Sequence, residues 1–468
     1  MTIEQAKNIY CLGIGGIGVS GLARLLLSMG KNVSGSDIKE SEITKNLEKL
    51  GIKIYIGQSE QDLVAANPDL IIYSSAVADF HWPASIAKLS QAQAVGELMS
   101  DKYGIGITGT NGKSTTSAIL GLILDYAQLD PTVLIGSMLS PKNETEKFKA
   151  NARLGGGKPA RLNDVSRSGG YFVAESDEYA RKMLENKPKM IIITNIAEDH
   201  LDYYKGLQDI KQAFSEYISS LPDDGILIYN ADDHNTVEIC QHAARHKFTF
   251  GIHHYADLQA LNPRTESGTQ IFDLHLDDEK IGTFKLHVPG LFNISNALGA
   301  VLAAIKLGVK TEVIQKTLEE YAGIWRRFEI VGKLSGKPVI SDYAHHPAGV
   351  AATIEAAKQF YPGKKVLAVF QPHHRNRTRE LFGEFIESLV MADELILPEI
   401  FDVAGREHGE DVSSFQLAAE LKKRGVTATF AKDLSKTESL IREKAKNFDV
   451  ILLMGAGDID NLARKLVK

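Results

Sequence analysis

Residues 105–124, IGITGTNGKSTTSAILGLIL, decide how this chain is read. Ile105 and Ile107 sit in a short apolar run that ends in Thr108-Gly109-Thr110-Asn111-Gly112-Lys113-Ser114, and apolar residues at helical spacing follow at once. Small residues bare backbone N–H groups and a helix N-terminus gathers more of them, so strand, glycine loop and helix in this order favour a polyphosphate. Lys113 adds a point charge for the outer phosphates, and the Ser114 hydroxyl can hold Mg2+. Gly109, Thr110, Asn111, Gly112, Lys113, Ser114 and Thr115 form the expected ATP cradle. The strict P-loop pattern wants a glycine five residues before Gly112, where this chain has Ile107.

A second glycine loop lies upstream. Residues 9–12 form a short apolar strand running into Gly13-Ile14-Gly15-Gly16-Ile17-Gly18, then a helical stretch over 20–29 and a second strand ending at Ser36-Asp37. The glycines allow a tight turn and close backbone approach to a diphosphate, and Asp37 can accept from a ribose or base edge. Alone, this pattern reads as a dinucleotide site and a dehydrogenase. A second phosphate loop downstream, and the continuation Val19-Ser20-Gly21 of the small-residue surface, argue against that.

The totals bound the rest. At 468 residues the chain is too long for one core, and length suggests about three domains. It is 44% hydrophobic and 24% charged with net charge -6, which argues against general binding to nucleic acid or anionic membranes. Two cysteines, Cys11 and Cys240, make no disulfide framework and fit a reducing compartment. With no leader pattern and no apolar run long enough for a bilayer, a cytoplasmic protein is expected.

Three motif groups resemble the Mur ligases. TGTNGKS is the phosphate loop of that family and of the folylpolyglutamate synthases, GIGGIGVSGLA followed by Gly35-Ser36-Asp37 resembles the family's UDP-binding first domain, and Ile71-Ile72-Tyr73-Ser74-Ser75-Ala76 resembles its third strand and SSA turn. The resemblance implies that Gly15, Gly16, Ile17, Gly18, Ser20, Asp37, Ser74 and Ser75 bind the UDP-sugar; Gln58 stands where many relatives have histidine. Residues 131–136 (PTVLIG) resemble a strand motif, Asn151-Ala152-Arg153-Leu154-Gly155 another, and 156–169 read as a long loop. Residues 171–174 form a strand delivering Glu175, where an α/β ATPase holds magnesium on hard oxygens. For Asp177 and Glu178 a solvated acidic turn is an equal alternative.

Residues 190–194 are a further strand, and Thr194-Asn195-Ile196 with Asp199-His200-Leu201-Asp202 match the family's second metal motif. Ser114, Glu175 and His200 are thus the implied metal-binding residues. Phe214 aligns where several relatives carry a carbamylated lysine, which points to the alanine-adding branch. Val288-Pro289-Gly290-Leu291-Phe292-Asn293-Ile294-Ser295-Asn296 resembles an adenine-nucleotide motif, so Asn293 and Asn296 join the ATP set.

Trp325-Arg326-Arg327-Phe328-Glu329 matches a signature whose arginine reaches the γ-phosphate, and Arg327 is the choice, since a planar cation suits charge spread over phosphoryl oxygens. Five apolar strands then alternate with helices, at 339–342, 366–370, 394–398, 427–430 and 450–454, implying a doubly wound sheet with its site at the strand C-termini. There lie Asp342-Tyr343-Ala344-His345-His346-Pro347 and Gln371-Pro372-His373-His374-Arg375-Asn376-Arg377-Thr378. The resemblance gives Asp342 to ATP, and Tyr343, His345, Arg375 and Arg377 to an amino acid's carboxylate, with His374 where relatives have arginine; residues 401–407 are a further loop for the same cleft.

The expected fold is α/β in three domains: a Rossmann-like UDP-substrate domain over 1–103, a central P-loop-type ATPase domain over 104–325, and a C-terminal Rossmann-like doubly wound domain over 326–468. The resemblance implies a peptidoglycan-precursor ligase that uses ATP and Mg2+ to join UDP-N-acetylmuramate and L-alanine through an acyl phosphate, with Lys113, His200 and Arg327 as catalytic groups and domain closure before chemistry. Attachment of a recycled peptide to the same sugar nucleotide is the rival, since Asp177-Glu178-Tyr179 is closer to that branch. A non-catalytic nucleotide-binding homologue stays open beside it. No nucleic acid or membrane partner is expected, and monomer and homodimer both fit.

Overall fold

The computed structural model describes residues 1–57, 59–77, 85–156, 170–200, 203–243, 246–266, 268–402 and 412–468. Gln58, Leu201, Asp202, residues 157–169 of the long loop and residues 403–407 lie outside the described residues.

The first sheet is parallel throughout, in the order β3-β2-β1-β4-β5. Its strands are β1 (Asn8–Leu12), β2 (Asn32–Asp37), β3 (Lys53–Ile56), β4 (Leu70–Tyr73) and β5 (Ala87–Ser90). Tyr10, Cys11, Leu12, Ile71 and Ile72 are buried in unbroken runs, as strands covered on both faces require. Helices α1 (Ile17–Ser28) and α2 (Gln91–Met99) belong to this module. The half-exposed β3 makes residues 70–73 the fourth strand in chain order, not the third. Strand order reverses beside β1, so the carboxyl ends of β1 and β4 frame a crevice.

The second sheet has ten strands in the order β15-β14-β13-β12-β11-β10-β6-β9-β7-β8. They are β6 (Tyr103–Thr108), β7 (Thr132–Leu134), β8 (Ala152–Arg153), β9 (Tyr171–Glu175), β10 (Met190–Ile193), β11 (Ile226–Asn230), β12 (His246–Gly251), β13 (Leu258–Glu266), β14 (Thr269–Leu276) and β15 (Glu279–Leu286). Parallel β9 and β10 flank β6, bringing the phosphate loop, Glu175 and Thr194 to one end of the sheet. Helix α3 (Lys113–Tyr126) follows the loop, and α4 (Leu207–Ser219) follows β10. Phe214 on α4 is fully buried among Ile191, Ile193 and Tyr217. Asp277 and Asp278, with φ of 49° and 68°, make the two-residue turn into β15, a conformation that twists with the strands it joins.

The third sheet runs β16-β17-β21-β18-β19-β20, from β16 (Glu329–Leu334), β17 (Lys337–Asp342), β18 (Val366–Phe370), β19 (Glu394–Pro398), β20 (Ala428–Ala431) and β21 (Val450–Met454). The five expected strands are present and parallel, and β16 adds an antiparallel edge that the sequence reading passed over.

The chain divides into two compact units. One comprises Met1–Asn262, Phe272–Lys285 and Ile294–Ala322, the other Pro263–Ile271, Leu286–Asn293 and Gly323–Lys468. Inside the first unit, Leu134, Ala152, Phe172 and Ala174 of the second sheet share one core with Leu22, Ala23, Val95 and Met99 of the first module. The fit is close: a Cβ on Gly21 of α1 would lie 2.4 Å from Leu134 Cδ1 and 2.8 Å from Asn151 Nδ2. Asn151 donates to Ile17 O at 2.7 Å, pinning the first turn of α1. No helix among the described residues is long and apolar enough to cross a membrane.

Candidate active site

At the crevice of the first sheet, the loop after β1 is fastened by its own surroundings. Gly13 N and Ile14 N donate to Ser36 O at 2.9 and 3.0 Å, Gly16 N to Gly13 O at 3.0 Å, and Gly15 N to Asp37 Oδ2 at 2.8 Å. Asp37 therefore shapes the loop. Ser74 Oγ accepts from Ala76 N at 3.3 Å beyond β4. Ser20 departs from expectation: it is fully buried and its hydroxyl donates to Ile17 O at 2.9 Å, so it serves the packing of α1 rather than the crevice surface.

The phosphate loop is braced from the strand beside it. Thr110 N donates to Asn195 O and Asn111 N to Asn195 Oδ1, at 2.9 and 3.0 Å, while Thr194 Oγ1 and Asn195 Nδ2 donate to Asn111 O at 2.5 and 2.9 Å. Gly112 caps α3 at φ 90°, and a Cβ there would lie 2.1 Å from Asn296 Oδ1. Asn296 thus packs on the loop, and its carbonyl accepts from Thr116 Oγ1 at 3.1 Å. Ser114 and Thr115 occupy the first turn of α3, where N–H groups lack intrahelical partners.

Lys113 folds back over this loop. Its ammonium donates to Gly109 O at 2.6 Å and to Glu178 Oε1 at 3.0 Å, with Glu178 Oε2 at 2.9 Å. Burial disfavours the Lys113 charge, but Glu178 and Asp177 outweigh it and hold the ammonium above its ordinary pKa. Glu178 is 3% exposed, so the solvated-turn alternative fails for it; burial pushes its carboxyl up to about 7 against the pull of Lys113. Asp177 is half-exposed and pairs with Lys182 at 3.0 Å. Glu175 ends β9 and accepts from Gly136 N. His200 stands at φ 56° with Nε2 3.8 Å from Glu178 Oε1 and its ring 4.7 Å from that of Tyr179.

Lys113, Glu175 and Asp177 open on one space. A cavity of 330 Å³ within the first unit is lined by Gly16, Ile17, Gly18, Ser74 and Ser75 from the first module and by Lys113, Glu175 and Asp177 from the second. Among the described residues no cluster of three or more His, Cys, Asp or Glu is arranged to hold a metal ion. The donors at hand, the Ser114 hydroxyl and the Glu175 carboxylate, are hard oxygens, which suits Mg2+ taking its other ligands from phosphate and water. The His200 nitrogen is the poorer match.

Asn293 is buried and donates to Pro289 O at 2.7 Å, a bond within its own turn. Arg326 and Arg327 part ways: Arg326 donates to Gly455 O and Gly457 O at 2.6 and 3.0 Å, while the Arg327 guanidinium lies 5.4 Å from the Tyr343 ring centre. Asp342 is buried and accepts from Phe328 N and Ala344 N, both at 2.7 Å; burial raises its pKa. The Arg375 guanidinium donates to Asp402 Oδ2 at 2.6 Å and Val412 O at 2.8 Å.

Tyr343, His345 and His373 form a chain of edge-on rings with centres 5.1 and 6.2 Å apart, and His345 Nδ1 lies 2.8 Å from Tyr343 O. His373, which the sequence reading left unassigned, stacks on Phe401 at 5.5 Å and has a buried, unpartnered Nδ1. Burial, with His374, His345 and two arginines nearby, lowers its pKa to about 3 and keeps it neutral.

Models of three family segments match the chain: Mur ligase family, catalytic domain, at residues 8–103; Mur ligase middle domain at 107–304; and Mur ligase, glutamate ligase domain, at 326–457. The chain is 36% identical over 474 residues to the UDP-N-acetylmuramate–L-alanine ligase of Caldanaerobacter subterraneus subsp. tengcongensis, spanning 100% of this chain and 98% of the relative. It is 37% identical over 463 residues to the enzyme of the same name in Clostridium novyi, spanning 97% and 96%. Among solved structures it resembles UDP-N-acetylmuramate-alanine ligase from Thermotoga maritima, with TM-score 0.81 and 28% identity over 99% of this chain and 98% of that one. A murein peptide ligase from Psychrobacter arcticus is similar at TM-score 0.71 and 26% identity, over 98% and 97%.

Proposed function

The chain belongs to the Mur ligase family, and from that premise we propose that it joins L-alanine to UDP-N-acetylmuramate with cleavage of ATP to ADP. The observation that carries this reading is the cavity shared by the two glycine loops, which opens the expected sugar-nucleotide loop and Lys113 onto the same space. A carboxylate and a triphosphate repel each other, so a ligase that makes them react must supply positive charge where they meet.

In this reading the muramate carboxylate attacks the γ-phosphorus of ATP, ADP leaves, and the acyl phosphate forms. Lys113 releases Glu178 and takes the β- and γ-phosphates, while the N-terminus of α3 faces the same oxygens. Ser114 and Glu175 would hold Mg2+, which would supply further neutralisation of the phosphoryl oxygens. Arg327 adds a planar cation for the γ-phosphate. The amino acid binds at Tyr343, His345 and Arg377, and its amine attacks the acyl carbon to give a tetrahedral intermediate that expels phosphate.

The test measures ADP release by the purified protein with UDP-N-acetylmuramate, ATP and Mg2+ across L-alanine, L-serine, glycine and a muramyl-type tripeptide. Release that depends on both the sugar nucleotide and L-alanine is expected. A larger response to the tripeptide moves the activity to the peptide-attaching branch, and release indifferent to any amine sinks the ligase reading.

A further inference from the structure

The 330 Å³ cavity contains a cation that none of the family motifs quoted above accounts for. Lys182 lines it, together with Asn186, and so do Lys113 and Asp177. Lys182 and Asn186 are delivered by an unusual piece of backbone. The short helix Tyr179–Glu185 is kinked, with Ala180 at φ 52° and Arg181 at φ 56°, two successive side-chain-bearing residues in the left-handed region. Such a conformation is unfavourable and persists only where its surroundings enforce it. Arg181 does the enforcing: its guanidinium pairs with Asp209 at 2.7 Å and Glu216 at 2.6 Å, both on α4. From the other side Gly96 of α2 admits the backbone of this segment so closely that a Cβ there would lie 2.2 Å from Glu185 O.

The anchored kink leaves two polar groups at the cavity wall. Lys182 donates to Asp177 Oδ2 at 3.0 Å and lies 4.8 Å from the Tyr179 ring centre, contacts that fix the ammonium without using all three of its N–H donors. Asn186 is 2% exposed; its Nδ2 donates to Ser176 Oγ at 3.0 Å, while its Oδ1 is buried with no hydrogen-bond partner. A fully buried amide oxygen left unpaired costs free energy unless something completes it. The same cavity is lined by Gly16, Ser74 and Ser75, where the sugar nucleotide is assigned.

We propose that Lys182 is a substrate-contacting residue that holds the carboxylate of the sugar's lactyl ether, with Asn186 Oδ1 accepting from a neighbouring hydroxyl or amide of the same sugar. The proposal rests on the reading of the chain as a UDP-N-acetylmuramate ligase. Lys113 then serves the phosphoryl side of the reaction and Lys182 the acyl side, and Asp177 is the residue that positions the Lys182 ammonium. The contact separates UDP-N-acetylmuramate from UDP-N-acetylglucosamine, the same sugar nucleotide without the acid arm.

Binding of those two nucleotides to the full chain, measured by calorimetry for wild type, Lys182→Ala and Lys182→Arg, tests this. Wild type should prefer the muramate, and Lys182→Ala should lose that preference by roughly tenfold or more, the order expected for a hydrogen bond to a charged group. Affinity for UDP-N-acetylglucosamine, which also reports that the variant is folded, should stay within about twofold, and Lys182→Arg should restore part of the preference. Equal weakening of both ligands would reduce Lys182 to a structural role, and an unchanged preference would remove it from the substrate; either result overturns the proposal alone. Failure of wild type to bind either uridine nucleotide would overturn the proposal and the ligase reading together.

Discussion

The two glycine loops, one after β1 and one after β6, share an outline and are held differently. In the first, the amides are consumed: those of Gly13, Ile14, Gly15 and Gly16 go to Ser36 O, Asp37 and the loop itself. In the second, the amides of Thr110 and Asn111 go to Asn195 and the carbonyls are consumed as well, with Gly109 O taken by Lys113 and Asn111 O by Thr194 and Asn195. A loop whose carbonyls are turned into protein does not oppose an anion, and it has a lysine at the helix start besides. The first loop offers shape and the amides opening α1, which suits a diphosphate held in place; the second offers charge that can be redirected, which suits a phosphate being transferred.

The sharpest way to break this contrast is Lys113→Ala. ADP release should fall roughly a thousandfold while sugar-nucleotide affinity stays within about twofold, since only the reacting phosphate loses its cation. Rate assay and calorimetry on one preparation decide it, and equal loss in both would mean the loops are assigned the wrong way round. Next in size are two alanines for glycine. At Gly112 the φ of 90° and the 2.1 Å approach to Asn296 should lower ATP affinity by roughly thirtyfold. Gly16 meets only Gly13 O, at 3.2 Å, and its alanine variant should shift uridine-nucleotide affinity by less than about threefold.

Asp37→Ala frees Gly15 N–H and should weaken uridine-nucleotide binding about tenfold, in keeping with a charge-assisted hydrogen bond, and leave ATP binding alone. The smallest effect is one of pH. The folded protein binds the Glu178 proton more tightly than the ordinary value of 4.5 allows, with a pKa near 7. That contribution to stability is complete below about pH 4.5 and is lost as pH rises through about 7. Glu178→Gln should therefore lose less melting temperature than wild type between pH 5 and pH 8. A steeper loss in the variant would contradict the raised pKa.

Much of this arrangement could be read from the chain because the informative residues are local. Strand, glycine loop and helix are adjacent in sequence at both loops, Glu175 ends its own strand, and the five strands of the last sheet are plain apolar runs. What escaped the reading is set by distance or by weak pattern. Glu178 lies 65 residues from Lys113, and nothing near it says that it is buried rather than solvated. Arg375 is paired with Asp402 and the Asp342 carboxylate holds two backbone amides, contacts that the motifs themselves do not show. β3 and β16 are edge strands with half-exposed or polar residues, so periodicity marks them faintly. Cys11 and Cys240 are buried free thiols, consistent with the absence of a disulfide framework.

Gly21 carries a consequence for how such proteins can be rebuilt. Because α1 lies against Leu134 and Asn151 with no room for a methyl group, the uridine-side loop and the triphosphate loop are spaced by one shared seam rather than by a tether. The first module is then no interchangeable cassette: grafting it from a relative without the matching residues around β7 and β8 would leave both nucleotides bound and their reacting ends out of reach.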